Sequence, residues 1–140
     1  MDILLIGLSF LYIFLVIGFS IIIFRKNQGE LSRKFIHIVV GNWIFISIFF
    51  TDVKAAILVP AVFIIINILS RKYKLISSME RQDDSWGTVY YSISLCVAVA
   101  VRFATGWNIF PIIGILIMAY GDGLAALVGK KFGGRKPYFF

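Results

Sequence analysis

Charge is scarce in this sequence. Only 15% of its 140 residues are Asp, Glu, Lys or Arg, and 60% are hydrophobic. Soluble globular domains carry about 25% charged and about 45–50% apolar residues. A water-soluble fold is therefore excluded, and the chain is too short and too apolar to be a soluble domain with an anchor attached. Cysteine is nearly absent. The single Cys96 lies in an apolar run, which rules out a disulfide framework or a cysteine metal site within one chain. Acids are rarer than bases, 7 against 14, leaving a net charge of +7. Such an excess can mean nucleic acid, but here the basic residues fall in short clusters between apolar runs. That pattern fits membrane orientation and anionic headgroups, not nucleic acid. No internal repeat or low-complexity linker interrupts the chain, so residues 1–140 read as one helical membrane domain.

Mean hydropathy is +0.93, and the apolar residues gather into runs of membrane-spanning length. The expected fold is an all-α polytopic membrane protein with about five transmembrane helices, near 3–24, 33–50, 54–70, 87–104 and 109–129. The first run lacks a basic leader and a small-residue cleavage site, so it is expected to be retained as a span. The second is short, and its helix is expected to begin nearer Glu30, in the interface. The third contains Pro60, which kinks a helix or sits in its first turns. Asp84 or Ser85 is a candidate cap for the fourth. Gly106 to Pro111 forms the next turn, with Trp107 at interface depth.

Lys and Arg alternate between connections. Arg25, Lys26, Arg33 and Lys34 follow the first run, Arg71, Lys72, Lys74 and Arg81 the third, and Lys130, Lys131, Arg135 and Lys136 the fifth. Only Lys54 and Arg102 fall near the other connections. By the positive-inside rule the basic loops are cytoplasmic and the N-terminus is outside.

Asp122 is the anomaly. It lies between Gly121 and Gly123 in an apolar run from Ile109 to Val128, and an ionisable side chain at that depth is a functional-site candidate by default. Gly114, Gly121, Ala125 and Gly129 form a small-residue stripe beside it. The plain alternative is a helix–helix contact with Asp122 paired to a base. Glycine on both sides, however, suggests a loosened helix that aims Asp122 into a polar cavity. Seven residues separate Asp122 from Gly129, so the carboxylate lies ~10 Å below the cytosolic end at ~1.5 Å per residue. Glu30, Lys34, His37 and Gly41 share a helical face by spacing, with Arg33 beside it. That face offers an acid, cations, an imidazole and a gap for another helix. Its plain alternative is an interfacial helix start with snorkelling cations. Glu80, Asp83 and Asp84 have the oxygen chemistry Mg²⁺ prefers, but read better as a solvated loop. Gly87 opens a helix and leaves backbone N–H groups for a phosphate. Tyr90 and Tyr91 read as interfacial packing. Gly121-Asp-Gly123-Leu-Ala-Ala126 fits a dinucleotide pattern but lacks βαβ context. The run from Gly123 to Lys131 misses P-loop spacing and its Ser/Thr.

Three segments together are distinctive: Glu30-x-x-Arg33-Lys34-x-x-His37-x-x-x-Gly41, then Gly87-x-Val89-Tyr90-Tyr91, then Gly121-Asp122-Gly123-x-Ala125-x-x-x-Gly129-x-x-x-Gly133. Their order and spacing resemble the CTP-dependent polyprenol and lipid-alcohol kinases, which include phytol kinase, dolichol kinase and the CTP-dependent diacylglycerol kinase. The likeness runs from Glu30 to Lys136 and is nearest to phytol kinase-like members. It implies transfer of a phosphate from CTP, or another nucleoside triphosphate, to a primary lipid alcohol at the cytoplasmic face. Asp122, His37 and Glu30 would be the catalytic residues, with Asp122 as base or as ligand to Mg²⁺. Arg33, Lys34, Gly87, Gly121, Gly123, Gly129, Lys130, Lys131 and Lys136 would bind the nucleotide. Members of this family continue into a Lys-Thr/Ser-x-Glu-Gly-Ser type motif, so the chain is expected to be incomplete at its C-terminus. A phosphatidate cytidylyltransferase-like enzyme and a non-enzymatic transport or assembly subunit are the alternatives.

Overall fold

The computed structural model describes residues 1–23, 29–73 and 86–132, except for the side chains of 29–31, 126, 127 and 130–132. Six helices account for nearly all of them: α1 (Asp2–Ile23), α2 (Gly29–Gly41), α3 (Trp43–Ser47), α4 (Val53–Tyr73), α5 (Gly87–Thr105) and α6 (Ile109–Phe132). No strand occurs among the described residues. The helices α1, α4 and α5 are long and apolar enough to cross a membrane, and Ile109–Ala125 within α6 is a shorter apolar stretch. The all-helical membrane architecture read from composition is therefore present.

The second expected span takes a different form. It begins at Gly29 and is divided at Asn42 into α2 and α3. Asn42 keeps helical dihedrals but donates its N–H to Val39 O, and Phe45 donates to Asn42 O, both at 3.1 Å. The chain thus tightens into a 3₁₀-like turn instead of breaking. The cause is visible across the interface. The Tyr12 hydroxyl donates to Val39 O at 2.5 Å and the Tyr91 hydroxyl to His37 O at 2.6 Å. Two of the last α2 carbonyls thus gain side-chain donors, so the ladder can shift there without orphaning an acceptor.

The bundle is apolar on its outside as well as at its centre. Ile3, Phe14, Ile22, Ile65 and Ile117 are exposed on its outside. Small and polar residues sit within it. The buried Ser20 and Ser32 hydroxyls pair at 2.7 Å, tying α1 to α2, and Asn67 Nδ2 donates to Ser92 Oγ at 2.8 Å, tying α4 to α5. With lipid outside, hydrogen bonds and close packing replace the hydrophobic effect as the cohesive force between helices. Trp43, Ile44, Phe50, Val59, Leu95 and Val99 fill the centre. Pro60 is buried inside α4, which continues through it to Tyr73.

Connections at the end of the bundle carrying residue 50 are closed by side chains. Asp2 accepts from the Thr51 hydroxyl and the Asp52 N–H, both at 2.9 Å, and Asp52 in turn caps α4 through the Ala55 N–H at 3.1 Å. Arg102 donates to the carbonyls of Ser47 and Ile48, each at 2.7 Å, and Phe50 at 3.1 Å, so one guanidinium closes the end of α3. Gly106 ends α5 in the left-handed region, φ 71°, returning its N–H to Arg102 O.

Helix α6 runs unbroken through Gly121 and Gly123, contrary to the expected loosening. A Cβ at Gly123 would stand 2.5 Å from Ile38 Cδ1, whereas Gly114, Gly121 and Gly129 face open space. The glycine that lets α2 approach is therefore Gly123, outside the small-residue stripe. Gly41 is its counterpart on α2: a Cβ there would be 2.6 Å from both Ala119 Cβ and the Tyr91 hydroxyl. The gap expected at Gly41 is thus occupied by α5 and α6.

Candidate active site

Close approach of α2 to α6 determines what the two helices can exchange. Lys34 and His37 lie one turn apart on the face of α2 that Gly41 continues, and Gly123 admits that face to α6 one residue from Asp122. The Lys34 ammonium meets Asp122 Oδ2 at 2.5 Å, as both ion pair and hydrogen bond. The partners differ in exposure: the Lys34 side chain is 11% accessible and that of Asp122 is 55% accessible. The lysine is thus largely sequestered between helices, while the carboxylate opens on a cavity.

That cavity has a volume of about 290 Å³. Helix α2 supplies Arg33, Lys34 and His37 to its wall, and α6 supplies Asp122 and Met118. The first two turns of α5 supply Gly87, Thr88, Tyr90, Tyr91 and Ser94. All three segments singled out in the sequence therefore contribute to one space. The imidazole of His37 stacks against the Tyr91 ring, with centroids 3.9 Å apart and planes inclined by 51°. Tyr91 is only 4% exposed, and its hydroxyl is tied to His37 O. Tyr91 thereby joins α5 to α2 in the wall between Gly87 and His37.

Of the expected site residues, Arg33, Lys34, His37, Gly87 and Asp122 line the cavity. Gly121 adjoins Asp122 and faces open space, and Gly123 packs on Ile38. Gly129 lies two turns further along α6 and is exposed. Glu30 is in α2, and Lys130 and Lys131 are in α6, but their side chains lie outside the described residues, as do Lys136 and the loop acids Glu80, Asp83 and Asp84. Tyr91 departs from its expected role in interfacial packing. Its periodicity was the available signal, because Tyr91, Ser92, Leu95, Ala98 and Val99 form the buried stripe of α5 at helical spacing. Met118 and Ser94 carried no sequence signal.

Among the described residues no group of three or more His, Cys, Asp or Glu side chains comes together, so a cation caged by protein ligands alone is not built here. A single half-exposed carboxylate such as Asp122 does fit Mg²⁺ in its usual substrate-borne form, with one or two carboxylates, phosphate oxygens and water.

Fold and cavity together define an all-helical membrane protein with a charged site set between three of its helices. Known proteins narrow the class. Phytol kinase of Synechocystis sp. is 35% identical over 116 residues, which are 81% of this chain and 50% of that protein. Probable phytol kinase 1, chloroplastic, of Glycine max is 35% identical over 133 residues, covering 81% of this chain and 43% of that protein. No protein-family model and no solved structure matches the chain. The similarity supports a phytol/polyprenol kinase-type family for this chain, which spans about half the length of the curated relatives it matches.

Proposed function

We propose that the chain belongs to a membrane lipid kinase and carries residues for both reactants. The enzyme moves the terminal phosphate of CTP, or another nucleoside triphosphate, to a primary lipid alcohol such as phytol, a polyprenol or dolichol, or diacylglycerol. The observation that carries this reading is the Lys34–Asp122 pair opening on a cavity that also holds Arg33 and His37. Phosphoryl transfer asks a protein for positioning and charge neutralisation more than for covalent chemistry. Arg33 and Lys34 supply positive charge where phosphate oxygens would lie, with Lys34 shared between the phosphate and Asp122. The Asp122 carboxylate orients the acceptor hydroxyl and takes its proton as the oxygen bonds to the γ-phosphorus and the β–γ bridging bond breaks. His37, pinned against Tyr91, positions the acceptor or the phosphate. The alternative role for Asp122 is to hold Mg²⁺ together with phosphate oxygens and water, and the ion would then supply charge neutralisation at the transferred group. Lys130, Lys131 and Lys136 would add phosphate-binding charge at and after the end of α6, and Glu30 would help to position a reactant. By the alternation of basic loops their side is the cytoplasmic one.

The test is to supply the full-length membrane protein with phytol and CTP labelled either on the γ- or the α-phosphate. Label from the γ-position in the lipid, lost in Asp122→Asn, is the expected result. Label from the α-position would show nucleotidyl transfer instead and sink the kinase reading.

A further inference from the structure

The cavity is polarised along the helix axes. Arg33, Lys34, His37 and Asp122 occupy one part of its wall, with Gly87 at the head of α5. Met118 lies one turn deeper than Asp122, ~6 Å at ~1.5 Å per residue, and Ser94 ~10 Å along α5 from Gly87. The deep part carries no charged side chain among its lining residues. Ser94 Oγ donates back to Tyr90 O at 3.0 Å, so its proton is already used within α5. Tyr90, which lines the cavity, and Ile117, the neighbour of Met118, are both exposed on the apolar outside of the helices. One turn below Met118, Gly114 faces open space.

Volume then decides what can be enclosed. About 290 Å³ is at or below the ~300–1,000 Å³ of sites that bury a drug-sized ligand. A nucleoside triphosphate and a long isoprenoid chain cannot both lie inside it. The hydroxyl end of an acceptor is what a space of this size encloses, with the rest of its chain extending out of it.

We infer that the acceptor enters sideways from the membrane between α5 and α6, with Ser94 and Met118 forming the subsite for the carbons next to its hydroxyl. This rests on the lipid-kinase reading and adds to it the route and the residues that select a long-chain alcohol. The hydroxyl travels from the Met118 end to Asp122, while the phosphate donor approaches from the basic end, so the two reactants meet without crossing.

Two measurements on the full-length protein in lipid vesicles test this. The first cross-links a phytol analogue bearing a photoreactive group near its hydroxyl. Labelling at Met118, Ser94 or Tyr90 is expected, and labelling confined to any other helix pair would overturn the entry route whether or not the protein transfers phosphate. The second compares phosphorylation of phytol with that of a five-carbon prenol. Met118→Trp and Ser94→Trp should raise the KM for phytol and lower the phytol-to-prenol selectivity at least tenfold. An unchanged selectivity would overturn the subsite. A wild-type protein that phosphorylates neither alcohol would instead remove the kinase reading, leaving the labelled positions to report on binding alone.

Discussion

The Lys34 ammonium and the Asp122 carboxylate meet at 2.5 Å although 88 positions separate them in sequence. Their unequal exposure makes the pair asymmetric. In Asp122→Asn the largely buried ammonium loses its counter-charge, whereas in Lys34→Met the carboxylate that remains is still half in solvent. Losing a partner costs ~3–5 kcal/mol for fully buried pairs and ~0–1 kcal/mol for exposed ones. Asp122→Asn should therefore destabilise the bundle more than Lys34→Met, and the double variant should recover part of the loss. Thermal unfolding in detergent of the three variants checks the order.

Gly41 should be the least replaceable glycine at the α2 interface. A methyl group there meets Ala119 Cβ and the Tyr91 hydroxyl at 2.6 Å, and Ala119 moves only with its helix. At Gly123 the nearest atom is the end of the Ile38 side chain, which can rotate away. Overpacking typically costs ~1–3 kcal/mol, more than the ~1 kcal/mol that alanine gains over glycine in a helix. Gly41→Ala is expected to lower the unfolding temperature more than Gly123→Ala, and adding Ala119→Gly with Tyr91→Phe should restore part of it.

Arg102 closes three carbonyls at the end of α3 and also holds Asn108 Oδ1 at 2.8 Å. A lysine reaches one or two of these acceptors but cannot fork between them. Arg102→Gln should cost ~1–3 kcal/mol, the scale of hydrogen bonds to a charged group, with Arg102→Lys in between. Hydrogen exchange of the Phe49 and Phe50 amides, which close that turn onto Ile46 and Ser47, should accelerate in the same order.

Gly106→Ala is expected to destabilise by ~1 kcal/mol, since φ 71° places Cβ against a carbonyl. The effect should be confined to the end of α5 and leave the cavity intact, which a nucleotide-binding assay on the variant measures.

Much of this arrangement was legible because membrane-spanning runs announce themselves. Ile3 to Phe24 and Ala55 to Leu69 are continuous apolar segments, and one charge, Asp122, stands out in the last run. The spacing of Lys34, His37 and Gly41 placed them on one face, and that face does meet α6. The division of the second span at Asn42 was hidden, because it depends on hydroxyls from Tyr12 and Tyr91 arriving from distant segments. Gly121 and Gly123 look equivalent in sequence, and only the position of Ile38 separates the packing glycine from the open one. Arg102 counted merely as a charge near a loop until the carbonyls of α3 came into its reach. Met118 is an ordinary apolar residue in an apolar helix, and its place beside Asp122 emerges only when α5 and α6 are set side by side.

Whether Lys34 and Asp122 perform chemistry or merely hold α2 to α6 is decided most directly by exchanging them. In Lys34→Asp/Asp122→Lys the attraction between the helices remains, while the carboxylate moves to the enclosed position and the ammonium to the open one. Phosphate transfer from the γ-position of CTP to phytol is measured in the full-length protein beside its unfolding temperature. The expected result is an unfolding temperature closer to wild type than that of Asp122→Asn, with transfer reduced at least a hundredfold, the lower end of a lost general base. An exchanged protein that still phosphorylates phytol at the wild-type rate would contradict the account and leave the pair a structural clasp.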